Sequence, residues 1–113
     1  MEVQSIATVL PVADVEAAAK VFAALLGAAP TFVDGPRWAQ FDVGGRRVAL
    51  AGTDRVSDQA GLMIKVSNLD VARAAAKAVG LTVSAPQEGP HEVRCVAEGP
   101  GGWPLILYAP RAG

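Results

Sequence analysis

Histidine and cysteine, on which much metal and thiol chemistry depends, are almost missing from this sequence. Each occurs once, as His91 and Cys95. A single cysteine excludes an intrachain disulfide and favours a reduced, cytoplasmic setting. The chain also lacks a Gly-x-Ser-x-Gly nucleophile motif and a glycine-rich phosphate-binding loop. None of the short motifs that identify a catalytic class on their own is therefore present.

Charge of either sign is also sparse. The chain has 10 basic and 11 acidic residues, with a net charge of −1, and no basic cluster. We therefore expect neither nucleic acid nor a membrane surface as a partner. The longest apolar runs are far short of a membrane span, and residues 1–4 lack the pattern of a signal peptide. Because 51% of the residues are hydrophobic, the composition is that of a globular protein.

What the sequence does contain is an internal repeat. Val12–Ala18 has a counterpart in Val66–Ala72, at an offset of 54 residues (66 − 12 = 54). In each copy an apolar run is followed by a polar residue, an alanine-rich helix and a glycine. Asp14 and Asn68 are the predicted N-caps, because their side chains can accept hydrogen bonds from the first helical turn. A repeat near half the chain length indicates two copies of one supersecondary unit.

Each copy is predicted to contain one strand, one helix and three further strands. Gly44-Gly45 is typical of a hairpin turn, and the polar segment Gly52–Ala60 is the predicted linker. The predicted strands are Ser5–Val12, Thr31–Asp34, Trp38–Val43, Arg47–Ala51, Leu62–Val66, Leu81–Ser84, Glu92–Ala97 and Trp103–Tyr108. The predicted apolar stripes of the helices are Val15, Ala18, Ala19, Phe22, Leu25 and Leu26, then Leu69, Ala72, Ala75, Ala76 and Val79.

Two such units in a short chain resemble the vicinal oxygen chelate superfamily, the group of glyoxalase I, the bleomycin resistance proteins and the extradiol dioxygenases. The resemblance covers about residues 5–110. It implies an α+β fold of two tandem βαβββ modules (about 5–51 and 61–110) in one domain over residues 1–113. It further implies curved mixed sheets that form a cleft, and a homodimer. The motifs that carry it are Leu10-Pro11-Val12-Ala13-Asp14 through Leu25-Leu26-Gly27, Val66-Ser67-Asn68-Leu69-Asp70, and the turn Gly99-Pro100-Gly101-Gly102.

In metal-dependent members, a His or Glu on the first strand of each unit and a carboxylate on the last strand bind a divalent metal. By resemblance, these positions fall at Ala7 and Ala49 in the first unit, and at Gly61 and Ile106 in the second. None of these residues can bind a metal. The single His and Cys of the chain do not lie on strands expected to carry ligands. We therefore expect no metal and no other cofactor.

The other candidate site residues lie on the strand faces that the helices are not expected to cover. If Phe41 and Leu50 face the first helix, alternation turns the neighbouring positions towards the cleft. Apolar and aromatic walls with a few polar groups are the usual composition of a small-molecule site. The residues predicted to bind the ligand are Trp38, Gln40, Asp42, Met63, Lys65, Trp103, Ile106 and Tyr108.

Several of these residues have a second interpretation. Trp38 and Trp103 could instead pack across a dimer interface, where tryptophan is also enriched, and the two roles are compatible. His91 is the weak candidate for a catalytic base, because its reference pKa is near neutral, or else a solvent-facing loop residue. Cys95, in the middle of a predicted strand, is expected to be a buried and inert thiol.

The preferred hypothesis is a metal-free binding protein that resembles the bleomycin-resistance type and sequesters an apolar or aromatic compound in a cleft shared across a homodimer. The alternative is an enzyme of the same fold, a lyase, isomerase or dioxygenase. It would have displaced metal ligands, or would act without metal through His91, Lys65 or Tyr108. A third possibility is an interaction module whose cavity is filled by its own side chains.

Overall fold

A computed structural model describes residues 2–111 and divides the chain into two compact units. The first unit is Ala7–Ala60. Of the described residues, the second comprises 2–6 and 61–111. The first strand, β1 (Val3–Pro11), therefore contributes its C-terminal half to the first unit and its N-terminal half to the second.

The first unit contains a mixed sheet in the strand order β2-β3-β4-β1. β1 and β4 are parallel, whereas the β2–β3 and β3–β4 pairs are antiparallel. The predicted order of one strand, one helix and three strands is confirmed. After β1, the elements are α1 (Val15–Leu26), β2 (Phe32–Asp34), β3 (Trp38–Val43) and β4 (Arg46–Ala51).

The second unit repeats this order, with the strand sequence β5-β8-β7-β6 in its sheet. β5 and β8 are parallel, and the β6–β7 and β7–β8 pairs are antiparallel. The internal repeat of the sequence therefore corresponds to a repeat of the topology. The elements are β5 (Gly61–Val66), α2 (Leu69–Ala78), β6 (Gln87–Glu88), β7 (Glu92–Glu98) and β8 (Pro104–Pro110).

Helix α1 begins and ends as its capping residues predict. The Asp14 carboxylate accepts a hydrogen bond from the Ala17 N–H at 3.0 Å, and Gly27 closes the helix in the left-handed conformation with φ of 64°. One face of α1 packs on β3 and β4, where the rings of Phe22 and Phe41 have centroids 6.3 Å apart. The buried residues of this cluster are Val15, Ala39, Phe41 and Leu50.

Helix α2 packs on β7 and β8 in the same way. The Asn68 side chain accepts a hydrogen bond from the Val71 N–H at 3.1 Å, as the predicted N-cap requires. Within residues 2–111, no helix is long and apolar enough to cross a membrane. The buried residues of the α2 cluster are Val66, Leu69, Ala72, Cys95, Leu107 and Ala109.

Two residues predicted in the helix stripes are exposed, whereas the others are buried or half-buried. Leu25 is 75% exposed and Val79 is 78% exposed. At about 100° per residue, Leu25 lies roughly 80° around α1 from Val15, at the edge of the stripe. Val79 is the C-cap of α2, beyond the last turn that contacts the sheet. The predicted stripes were therefore wrong at these two positions.

The predicted strand Leu81–Ser84 was also wrong. This segment makes only a single bridge, between Val83 and Ala97, and the Ser84 N–H donates to the Val96 carbonyl at 2.9 Å. The second strand of this unit, β6, forms at Gln87–Glu88 instead. Pro86 lies between the two segments and has no N–H to donate, so it separates the isolated bridge from the later pairing.

The predicted linker is packed at its start. A Cβ atom at Gly52 would lie on the Pro36 carbonyl oxygen and against a Val15 methyl group. The Gly52 N–H donates to the Arg37 carbonyl at 2.9 Å, and the Arg37 guanidinium forms an ion pair with Asp54 at 3.3 Å. Glycine is therefore required at this position, because only a residue without a side chain fits beside the turn before β3.

Cys95 is part of the hydrophobic core beneath α2. Its side chain is only 1% exposed. Burial raises the pKa of the Cys95 thiol above its ordinary value of 9.0, and the nearby Arg73 guanidinium opposes part of that increase. Since the thiolate is the reactive form, the expectation of an inert thiol agrees with this environment.

Replacing Asp14 with Ala should lower the free energy of unfolding by about 1 kcal/mol, because the first turn of α1 loses its side-chain acceptor. Asp14→Asn is the matched control, since its amide oxygen can still accept the Ala17 N–H. Urea denaturation measures both. An equal loss in the two variants would contradict a capping role and point to the carboxylate charge instead.

The raised pKa of Cys95 also predicts a pH dependence of stability. The folded state binds the thiol proton more tightly than the unfolded state. The stabilisation is therefore complete below the unfolded pKa and is lost as pH rises through the folded pKa. In urea denaturation, the wild type should lose more stability than Cys95→Ala as pH rises above 9.0, the ordinary pKa of the thiol. Parallel pH profiles for the two proteins would contradict this linkage.

Candidate functional site

Each sheet has one face covered by its helix and one face on which no helix of its own unit packs, which we call the helix-free face. In the first unit, Phe41 and Leu50 pack beneath α1, as expected. Alternation along β3 then places Trp38, Gln40 and Asp42 together on the helix-free face, and all three are half-buried. The sequence therefore grouped these three candidates correctly.

Asp42 on this face has a partner in the neighbouring strand. It lies directly opposite Arg47 in the β3–β4 register, and the Arg47 Nε lies 3.2 Å from the Asp42 carboxylate. Both side chains are about one-third exposed. Such a pair neutralises its own charge, so this end of the face presents a fixed ion pair rather than an isolated carboxylate.

The helix-free face of the second unit brings together four of the other candidates. Met63 lies opposite Ile106, and Lys65 lies opposite Tyr108, across the parallel β5–β8 pair. Met63 and Ile106 are buried, whereas Lys65 and Tyr108 are half-buried. The face therefore combines an apolar row with a polar row. β7 extends both rows, with Val96 opposite Ile106 and Arg94 opposite Tyr108.

Arg94 is a residue that the sequence analysis did not include. Its neighbour Cys95 points into the α2 core, so Arg94 belongs to the opposite face and shares it with Tyr108. The sequence already indicated this placement. Because side chains alternate along Glu92–Ala97, a buried Cys95 places Arg94 on the opposite face of the strand.

The remaining two candidates lie outside both faces. Trp103 precedes β8, and its ring packs on the turn, since a Cβ at Gly99 or Gly101 would contact its indole atoms. The side chain is 41% exposed. His91 is exposed in the segment before β7. The structure thus gives Trp103 a structural contact with the glycine turn and places His91 at the surface.

The register of the first unit shows what surrounds its expected metal positions. Ala7 lies opposite Arg47, and Ala49 lies opposite both Val9 and Gln40. Ala7 is 5% exposed and Ala49 is fully buried. Neither methyl group can bind a metal, and Arg47, Val9 and Gln40 offer no carboxylate or imidazole beside them.

The second unit is equally unsuited to a metal. A Cβ atom at Gly61 would lie on the Pro104 carbonyl oxygen, so no ligand side chain fits there without a backbone shift. Ile106 is 3% exposed and pairs with Met63. Across the described chain, from residue 2 to residue 111, no three His, Cys, Asp or Glu side chains form a group that could hold a metal ion. The residues present therefore do not fit a divalent metal.

The first unit also has an open groove on its helix side, which the sequence analysis did not predict. Its volume is about 680 Å³, and Pro30, Val33 and Pro36 form much of its apolar wall. Its charged groups already have partners, because Asp14 caps α1 and Glu16 lies 3.8 Å from Lys20. The groove thus lacks the convergent polar anchors of a specific site, and the helix-free faces are the better candidates.

Comparison with solved structures shows several similar folds. An NAD-dependent benzaldehyde dehydrogenase from Legionella pneumophila has a TM-score of 0.84 at 15% identity, over 94% of this chain and 99% of that one. A glyoxalase/bleomycin resistance protein/dioxygenase superfamily member from Vibrio splendidus 12B01 has a TM-score of 0.69 at 12% identity, over 95% and 98%. Methylmalonyl-CoA epimerase from Mycobacterium tuberculosis has a TM-score of 0.63 at 18% identity, over 98% and 89%.

No protein-family model matches the sequence, and no curated protein matches it significantly. The identities to the solved structures are low, so the likeness concerns the fold and not the activity. It agrees with the repeated strand–helix–three-strand order, the mixed sheets and the two capped helices. The chain therefore has the fold of the vicinal oxygen chelate superfamily, as the internal repeat and the family resemblance predicted.

Proposed function

We propose that this protein is a small-molecule-binding protein of the glyoxalase/bleomycin-resistance type that works without a metal. The observation that carries the proposal is the replacement of metal ligands by alanine, glycine and isoleucine on sheet faces that keep aromatic and polar side chains. At Gly61 the backbone of Pro104 also excludes a ligand side chain. A protein that lacks the metal but keeps such a surface is suited to holding a compound rather than polarising it.

Each unit's helix-free face is proposed to offer its own ligand contacts. Trp38 in the first unit and Tyr108 in the second offer aromatic surfaces for a flat molecule, and the buried Met63 and Ile106 would form the apolar floor of the second unit's face. Gln40 and Lys65 provide polar contacts that could orient it. Trp103 is proposed as a further aromatic contact, through the exposed part of its ring.

We further infer a homodimer with a shared cleft, located in the cytoplasm, without nucleic acid or membrane as a partner. The homodimer and its shared cleft rest on the family resemblance. The compartment and the excluded partners rest on the single cysteine and on the scattered charges of the sequence. A half-exposed tryptophan such as Trp103 is compatible with an interface, where aromatic residues are enriched.

Native mass spectrometry of protein purified without chelator or affinity metal should show the mass of a dimer and no stoichiometric metal. The reason is that the four expected ligand positions carry no donor atoms. A chelator-treated sample is the control and should have the same mass and thermal midpoint. One divalent ion per chain would contradict the metal-free proposal and favour the metalloenzyme alternative, whereas a monomer would contradict the shared cleft.

Titration with N-phenyl-1-naphthylamine, an uncharged aromatic probe whose fluorescence rises in apolar sites, should show saturable binding. Replacing Trp38 with Ala should weaken binding about fivefold to tenfold, because an aromatic contact contributes about 0.5–1.5 kcal/mol beyond its buried area. Leu25→Ala is the control, since it removes apolar surface that is 75% exposed on α1. Trp103→Ala tests the second indole. Absence of saturable binding would overturn the proposed function.

A further inference from the structure

We propose that the ligand of the first unit's helix-free face is an uncharged, flat compound with an N–H beside a C=O on its edge, as in an aromatic lactam, and that Gln40 binds that edge. The inference deepens the proposed function and rests on it, because it names the class of compound that this face would bind. It is carried by the side-chain amide of Gln40 and by the residues beside it in the sheet.

The side-chain amide of Gln40 is not used by the fold. Gln40 lies on the helix-free face of β3, two residues from Trp38 and two from Asp42. Its backbone carbonyl accepts hydrogen bonds from the Thr31 N–H at 2.8 Å and from the Thr31 hydroxyl at 3.1 Å. Its side chain makes no hydrogen bond to any of residues 2–111. One carbonyl acceptor and two N–H donors therefore remain for a ligand.

The strand positions beside Gln40 are apolar. On one side it lies opposite Ala49, which lies opposite Val9, and on the other side it lies opposite Phe32. Ala49 is fully buried and Val9 is 5% exposed, whereas Gln40 is half-buried. The amide is thus partly removed from water within an apolar row. A polar ligand group that pairs with it there replaces a hydrogen bond that the row itself cannot supply.

The carboxylates of this face already have cationic partners. In the row on one side of Gln40, the Asp42 carboxylate lies 3.2 Å from the Arg47 Nε. In the row on the other side, the Asp34 carboxylate lies 3.4 Å from the Arg37 Nε. An ionised ligand would have to compete with one of these pairs for a counter-charge. The face therefore favours a compound that is neutral and that hydrogen-bonds through an amide-like edge.

The repeat shows that the fold itself does not require an amide at this position. Val9 and Met63 are equivalent first-strand residues, at the same offset of 54 as the two helix starts (63 − 9 = 54). In the second unit, Met63 lies opposite Ile106, which lies opposite Val96. Val96 therefore occupies the place of Gln40. The same backbone position has an apolar side chain in one unit and a hydrogen-bonding side chain in the other, which favours a binding role for Gln40.

Trp38 and Gln40 can contact different parts of one flat molecule. Two residues of strand correspond to about 7 Å, so a bicyclic ring that stacks on the indole can reach the amide with its edge. A ring N–H then donates to the Gln40 carbonyl, and the adjacent ring C=O accepts from the Gln40 NH2 group. Two parallel hydrogen bonds of this kind fix the orientation of the ring in its own plane.

Two probes of nearly the same shape test this inference. 2-Quinolinone is a lactam and coumarin is the corresponding lactone, in which an oxygen atom replaces the N–H beside the carbonyl. In isothermal titration calorimetry, the wild type should bind the lactam at least about fivefold more tightly, because the lactone leaves the Gln40 carbonyl without a donor. Quinoline-2-carboxylate, an anion of similar size, should bind more weakly than the lactam.

Gln40→Met keeps the length of the side chain and removes both of its hydrogen-bonding groups, so it should abolish the difference between lactam and lactone. Gln59→Met is the matched control, because it makes the same substitution at an exposed position of the first unit, and it should keep the full preference. Trp38→Ala should weaken binding of both probes alike, since both rings lose the same stacking surface. Circular dichroism should show that all variants are folded.

The outcomes separate this inference from the function on which it rests. If N-phenyl-1-naphthylamine binds saturably but 2-quinolinone does not bind, or binds no more tightly than coumarin, the lactam assignment is overturned and the binding function stands. A preference that survives Gln40→Met, or that is lost equally in Gln59→Met, would also overturn the assignment, as would tighter binding of the carboxylate. Failure of every probe to bind would remove the proposed function together with the inference.

Discussion

The parallel pairing of the first and last strands in each unit is the constraint on which the rest of the structure depends. A parallel pair cannot be closed by a short hairpin, so the chain must make a long connection between its members. Here that connection is a helix followed by two further strands. Because β1 pairs with β4 and β5 pairs with β8 in equivalent registers, every side chain on the sheets is assigned to the helix side or to the helix-free side.

This constraint explains why the duplicated units share a backbone but not a chemistry. On the helix side, side chains must pack closely beneath the helix. Ala39, Phe41 and Leu50 do so in one unit, and Cys95 and Leu107 do so in the other. The helix-free side has no such requirement. There, one unit has Trp38 and a neutralised Asp42–Arg47 pair, whereas the other has Lys65, Tyr108 and Arg94. The positions that the family resemblance assigns to metal ligands carry small or apolar residues in both units.

Predictions from the sequence were most accurate where hydrophobic periodicity and helix capping act within a few residues. Asp14, Asn68 and Gly27 cap their helices because a side-chain acceptor or a left-handed residue is needed within one turn. The predictions failed where burial or strand pairing depends on contacts with residues far away in the sequence. Leu25 and Val79 have apolar side chains at helical spacing, but Leu25 lies at the edge of its stripe and Val79 is the C-cap of α2, so both are exposed. β7 pairs with Gln87–Glu88, beyond Pro86, and not with the strand expected at Leu81–Ser84. No local pattern shows which of the two segments will pair with β7.

By itself, the sequence determined the repeated topology, the helix boundaries, the side of the sheet on which each strand residue lies, and the absence of metal donors at the expected positions. The first three follow from periods of 2 and 3.6 residues and from capping chemistry, whereas the expected metal positions follow from the family resemblance. Only the tertiary structure decided which residues lie opposite one another. Strand register joined Arg94 to Tyr108 and Lys65, paired Asp42 with Arg47, and placed the Trp103 ring on its glycine turn. Register depends on contacts between residues far apart in the chain, and no local pattern contains that information.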